Sequence, residues 1–290
     1  MSNRSGARER GALRVRGSAL VWGERTYVMG IVNVSPDSFS GDGDPQSAAA
    51  AARAVRQLAD GADLIDVGAE STRPGHRPID ARTERARLLP AVAAIRAAAP
   101  EAIVSVDTFK AGVFRDAHAA GGDMLNSIWG ASDELIALCA ETATPIVVMH
   151  NKAVAVYERD VVDEVLAFLD AAAARCVHAG LPREHVILDP GIGFGKLPEH
   201  NLAVLRRLDR VVALGFPTLI GTSRKSTIGK LTGRGVEARE FGTAATVALA
   251  IAAGIDLVRV HDVPEQRDVV RVTDAIVRGW RPDGWTERLP

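Results

Sequence analysis

The sequence predicts a single α/β domain, a (β/α)8 TIM barrel. Short apolar runs recur eight times, alanine-rich segments with helical stripes fall between them, and nearly every run ends in a polar residue. The runs lie at 27–34, 63–67, 103–106, 124–125, 145–149, 186–188, 218–220 and 257–258. The first feeds a polar, glycine-bearing loop at 35–43. Ser47 is then expected to cap a helix that runs to about Asp60 and is closed by Gly61. Further helices are read at about 81–98, 110–120, 132–142, 160–179, 199–214, 237–253 and 264–279. A doubly wound open sheet is the alternative, but it would place ligands at one switch point instead of drawing polar groups from nearly every strand.

No linker divides the 290 residues, so the expected organisation is a disordered basic tail at 1–20, the barrel at 21–280 and an extension at 281–290. The tail carries Arg4, Arg8, Arg10, Arg14 and Arg16 against Glu9 alone, without the amphipathic spacing of a transit peptide. With 35 basic and 36 acidic residues there is no general field for nucleic acid or an anionic membrane, and any anion site must be local. No apolar run is long enough to span a bilayer. Cys139 and Cys176 fall in separate helical segments without metal-ligand spacing, which reads as free thiols in a reducing cytoplasm. Lysine occurs only at 110, 152, 196, 225 and 230 against thirty arginines, so a lysine here stands where arginine was the default.

In such a barrel all strands end at one face, which brings together Asn33, the segment Glu70-Ser71-Thr72-Arg73, Asp107, Asn126, His150, Asp189, Lys225, Arg259 and His261. They sort into two chemical groups. Asp107, Asn126 and Asp189 suit a flat heterocycle with a guanidine-like edge, and Lys225 can donate to a carbonyl on its opposite side. Arg73, Arg259, His261 and Asn33 suit phosphate or diphosphate, with a divalent cation at Asn33. Duller readings exist for each. Asp107 and Asp189 are also well placed as helix caps, Asn126 as a turn residue, His150 as a core histidine, and Asp66 and Glu70 as barrel-interior groups outside the site. The glycine-rich octapeptide Asp189-Pro190-Gly191-Ile192-Gly193-Phe194-Gly195-Lys196 lets backbone approach a ligand closely, and no role is assigned to Lys196.

These segments resemble the dihydropteroate synthase family from about residue 28 to 263. The resemblance rests on Met29-Gly30-Ile31-Val32-Asn33-Val34-Ser35-Pro36-Asp37-Ser38-Phe39-Ser40, Ile65-Asp66-Val67-Gly68-Ala69-Glu70-Ser71-Thr72-Arg73-Pro74-Gly75, Ser105-Val106-Asp107-Thr108, the octapeptide, Ser223-Arg224-Lys225-Ser226 and Arg259-Val260-His261-Asp262-Val263. It implies an enzyme that joins dihydropterin diphosphate to p-aminobenzoate, with Asp107, Asn126, Asp189 and Lys225 on the pterin. Asn33, Arg73, Arg259 and His261 are then implied on the diphosphate, with Mg²⁺ at Asn33; Asp107, Lys225, Arg259 and His261 carry catalysis. Phe39, Thr72, Pro74, Phe194, Ser223 and Arg224 are implied around p-aminobenzoate, the part that sulfonamides imitate, and a cytoplasmic homodimer through the last helices is implied too. Three positions depart from the family: Ser127 in place of Asp, a first loop longer by one residue around Asp42, and residues 151–158 in place of a glycine-containing loop. A pterin-binding paralogue with altered chemistry and a folate-dependent corrinoid methyltransferase are the alternatives.

Overall fold

The computed structural model describes residues 10–34, 44–70 and 78–286. Eight parallel strands form the expected barrel: β3 (Tyr27–Asn33), β4 (Leu64–Gly68), β5 (Ile103–Asp107), β6 (Met124–Ser127), β7 (Ile146–Met149), β8 (Val186–Asp189), β9 (Leu219–Ile220) and β10 (Leu257–Val260). Neighbours in the sheet follow chain order from β3 to β8, and β10 lies between β3 and β9. The ring closes through a bridge between Leu188 and Thr218, where the Leu188 amide donates to the Pro217 carbonyl at 2.9 Å.

Alternation along each strand divides the side chains between two cores. Val28, Ile65, Val104, Leu125, Val148 and Val258 point outward and pack on the helices, against residues such as Ala54, Leu88, Phe114 and Leu169. Tyr27, Met29, Leu64, Ile103, Met124, Val147, Ile187, Leu219 and Leu257 point inward and fill the lower barrel. The fold therefore needs a lid beneath this apolar layer.

Residues expected to lie in a disordered tail supply it. β1 (Ala12–Val15) and β2 (Ser18–Val21) pair antiparallel, with Val15 opposite Ser18. Arg16 and Gly17 turn the chain with φ of 52° and 75°, the paired positive values of a two-residue hairpin. Leu13, Leu20 and Trp22 join the inner apolar cluster, and the Trp22 indole N–H donates to the Glu184 carbonyl at 3.0 Å. Arg10, expected as a surface charge, bonds the fully buried Asp256 at 2.6 Å. The alternating Leu13, Val15, Leu20 and Trp22 around Arg16-Gly17 carried the hairpin signal, and the density of arginine masked it.

The helices fall where the periodicity placed them, with three differences. The first described helix is Asp44–Ala59, so Ser47 lies within its first turn and not at its N-cap. The segment read at 199–214 divides into Pro198–Arg206 and Leu208–Val212. A further helix, Ser226–Thr232, follows Lys225. Among the described residues no helix is long and apolar enough to cross a membrane.

Trp22 is fully buried under the barrel, so Trp22→Ala is expected to lower the unfolding free energy by about 3–5 kcal/mol. Urea denaturation measures this; a loss below about 1 kcal/mol would mean that the hairpin stands apart from the cooperative core.

Candidate active site

Continuing up the barrel in the same inward phase, the apolar layer gives way to polar side chains. Asp66 lies opposite Ser105, and one step higher Asn33, Gly68, Asp107 and Asn126 follow one another across β3 to β6. Gly68 leaves an inward position without a side chain; a Cβ there would sit 3.2 Å from that of Asp107.

Asp66, which the sequence reading left outside the site, is its hub. It is fully buried and accepts from Ser105 Oγ at 2.6 Å, Asn126 Nδ2 at 3.0 Å and Arg259 Nε at 2.6 Å. Arg259 starts from β10, reaches past β3, and also donates from Nη2 to Asp107 at 3.1 Å. The signal for Asp66 was available in the strand Leu-Ile-Asp-Val-Gly: a lone carboxylate two residues from Leu64, in the inward phase. What could not be read was the partner 193 positions away.

The helix-cap readings fall away for both other carboxylates. After Asp107 the helix Ala111–Ala119 has Lys110 at its N-cap, without a side-chain cap bond; after Asp189 the next helix begins at Pro198. Asp189 instead accepts the Gly191 amide at 2.7 Å. Only glycine fits at 191, where φ is 70° and a Cβ would fall 1.9 Å from the His150 carbonyl oxygen. Burial raises the pKa of both acids. For Asp107 the neighbouring Asp66 charge adds to this, with Arg259 opposing; Asp189 is pushed up to about 6 against its Gly191 hydrogen bond and the charge of Lys225.

The β9 and β10 loops supply the other wall. Lys225 Nζ lies 3.9 Å from the centre of the Phe194 ring. Ser223 Oγ accepts the His261 amide at 3.2 Å and lies 2.9 Å from His261 Nδ1. Burial, then the charges of Arg259 and Arg224, push His261 down to about 3. This favours the neutral ring, and a ring whose Nδ1 accepts from the Ser223 hydroxyl carries its proton on Nε2, from which it can donate to an anion. Arg224 has a positive φ of 57°, and its side chain is committed to Asp262 and Glu237, at 2.5 Å each. Its contribution is to hold these loops together.

Ser127 does not support Asn126: its hydroxyl donates to the Gly130 carbonyl, and Asp66 orients the amide of Asn126 instead. His150 is 3% exposed, stacked 6.2 Å from Tyr157 and edge-on to Phe168 at 5.1 Å, as a core histidine would be. Phe39, Asp42, Thr72, Arg73 and Pro74 lie outside the described residues. Among those described, no cluster of three or more His, Cys, Asp or Glu side chains is built to hold a metal.

Two buried acids and an amide beside an arginine and a histidine, at the carboxyl end of a barrel, suit a polar heterocycle and an anion. The family model for pterin binding enzymes matches residues 29–261. A dihydropteroate synthase of Synechocystis sp. is 41% identical over 270 residues, covering 90% of this chain and 92% of the relative. Among solved structures, the Xanthomonas albilineans dihydropteroate synthase with 4-aminobenzoic acid superposes with a TM-score of 0.86 at 39% identity, covering 92% of this chain and 98% of the other. The Thermus thermophilus enzyme in complex with 6HMPPP gives 0.80 at 42% identity, covering 91% and 99%. The chain belongs to the pterin binding enzymes, and within them to the dihydropteroate synthase family of transferases.

The raised carboxyls predict a pH dependence. Their folded-state pKa values exceed the unfolded value of 3.8, so the folded protein holds extra protons between the two. That stabilisation is complete below about pH 4 and is lost as pH rises through the folded values, about 6 for Asp189. Relative to an Asp107→Asn/Asp189→Asn double variant, the ligand-free protein should lose unfolding free energy from about pH 4 to about pH 7. Parallel urea-derived profiles for the two proteins would refute it.

Proposed function

We propose that this chain condenses 6-hydroxymethyl-7,8-dihydropterin diphosphate with p-aminobenzoate, giving dihydropteroate and diphosphate in folate biosynthesis. The observation that carries the reading is the hydrogen-bond network that ties Asn126 and Arg259 directly, and Asp107 through Arg259, to Asp66, with Asp189 at the end of β8. Asn126 has its orientation set by Asp66, so Ser127 no longer argues for a paralogue without this chemistry.

In this mechanism Asp107, Asn126 and Asp189 take the ring N–H and amino edge of the pterin, and Lys225 donates to its carbonyl. Arg259 uses Nε and Nη2 on carboxylates, which leaves Nη1 for the leaving group. His261 donates from Nε2, and Asn33 and Arg73 complete the diphosphate site. The C–O bond to diphosphate breaks first, and the pterin held by its acids delocalises the positive charge left on the methylene. The aniline nitrogen then forms the new C–N bond and releases a proton. Donors fixed before the reaction offset the growing negative charge on the leaving group. The p-aminobenzoate roles go to Phe194, Ser223 and Arg224 and, outside the described residues, to Phe39, Thr72 and Pro74, which makes the enzyme a sulfonamide target.

Asn33 offers one neutral oxygen at the end of β3, which fits an Mg²⁺ held mainly by substrate phosphates and water. When bound there the ion neutralises charge on the departing diphosphate. The last two long helices carry exposed apolar side chains, Phe241 at 86% and Leu249 at 68% on Glu240–Ala252, Val272 at 61% and Ile276 at 78% on Val263–Val277. This supports a homodimer through those helices. The buried free thiols Cys139 and Cys176 suit the cytoplasm.

Two measurements follow. Product formation from the two substrates with Mg²⁺ tests the activity, and Arg259→Ala should lower kcat/KM by about 100-fold or more. Tight pterin diphosphate binding without product would favour the non-catalytic paralogue, and methyl transfer to a corrinoid the methyltransferase. In sedimentation velocity, Phe241→Glu/Ile276→Glu is expected to run as a monomer where the parent runs as a dimer; equal sedimentation of the two proteins would overturn the proposed interface.

A further inference from the structure

Lys196 closes the glycine-rich loop after β8, and its ammonium turns back into that loop. Nζ lies 2.8 Å from His150 Nδ1, 3.0 Å from the Gly191 carbonyl and 3.2 Å from the Phe194 carbonyl, with the His150 carbonyl at 3.4 Å. Burial lowers the Lys196 pKa to about 7 against the charge of Asp189, and in its ammonium form the three N–H donors match the three nearest acceptors. Burial and then the charges of Lys196 and Lys152 push His150 down to about 3, which favours the neutral ring, and a neutral ring protonated on Nε2 accepts from Lys196 at Nδ1.

The loops after β7 and β8 are locked together around this contact. Gly191 abuts the His150 carbonyl, and at Gly195 a Cβ would fall 2.3 Å from the Lys152 carbonyl oxygen. The Tyr157 hydroxyl donates to the Gly195 carbonyl at 2.9 Å, while Tyr157 stacks on His150. The same loop presents two groups of the site: its Gly191 amide orients Asp189, and its Phe194 ring lies beneath Lys225.

We propose that Lys196 is a positioning residue, whose ammonium ties the 190–195 loop to His150 and thereby sets the Asp189 carboxylate and the Phe194 ring for the two substrates. This rests on the reading of the site as a dihydropteroate synthase. Lysine suits the task because three tetrahedral donors on a compact head meet three converging acceptors, which a planar guanidinium does not.

The test compares Lys196→Met, Lys196→Cys, and Lys196→Cys alkylated with 2-bromoethylamine. In the alkylation the thiol loses its proton, a C–S bond forms and bromide leaves, so an ammonium returns at nearly the original reach. Cys139 and Cys176 are buried, with thiols pushed up to about 12 and about 11, which directs the reagent to position 196. Lys196→Met and unalkylated Lys196→Cys are expected to raise KM for p-aminobenzoate about tenfold with a smaller change in kcat, and to speed amide exchange at 191–194. Alkylation should return both to within about twofold of the parent, on one polypeptide measured before and after modification. An unmoved KM, unchanged exchange, or a loss that alkylation fails to reverse would overturn the assignment. A parent protein that makes no dihydropteroate would sink the functional reading alone, and exchange with its rescue would still decide the role of Lys196.

Discussion

A buried carboxylate with three donors organises the upper barrel. Asp66 has no water to solvate its charge, and an isolated ionised carboxylate at such depth is prohibitively unfavourable. Ser105, Asn126 and Arg259 solvate it instead, and each is oriented by doing so. The arrangement reaches from β4 to β5, β6 and β10. Removing one partner of such a buried pair typically costs about 3–5 kcal/mol, because the other charge is left uncompensated. Polar groups at the strand ends are thus held by an ion pair that itself faces the barrel interior.

Two consequences follow for the site. Asp107 shares Arg259 with Asp66 and therefore receives only part of its charge, while burial and the Asp66 carboxylate favour its neutral form. Asp189 has Gly191 and a more distant Lys225 in place of a direct ion pair. Both acids are kept short of compensating positive charge, which is the condition for a strong response to a ligand that brings N–H donors. His261 is the converse case, a neutral ring held among arginines that an incoming anion would favour as a donor.

The use of lysine in an arginine-rich chain now has a structural sense. Lys225 sits over Phe194, Lys196 fills a pocket of loop acceptors, and Lys110 bonds Glu70 and Glu84 at 2.5 Å each. Lys152 bonds Glu164 at 2.8 Å and the Val156 carbonyl at 2.7 Å, beside the β7 loop. All four follow the carboxyl ends of barrel strands. At Lys110, Lys152 and Lys196 a small head meets acceptors arriving from different directions, a geometry that favours an ammonium over a fork of fixed plane. Lys230, on the helix Ser226–Thr232, is the exposed exception.

The sequence by itself determined the barrel, its eight strands and most of the residues gathered at their ends, because alternation of apolar runs and helical stripes is a local property that needs no knowledge of partners. Asp107, Asn126, Asp189, Lys225, Arg259 and His261 were legible as strand-end polar groups. The N-terminal hairpin was legible too, in its alternating apolar residues around Arg16-Gly17, but charge density obscured it. Tertiary structure alone decided what those groups do to one another: that Asp66 is a hub and not a bystander, that Arg224 is spent on Asp262, that Asn126 depends on Asp66 and not on its neighbour Ser127, and that Lys196 is enclosed by carbonyls. Each of these turns on a contact between strands or loops far apart in sequence. Their chemistry is set by distance and burial, quantities that exist only once the ring of strands has closed.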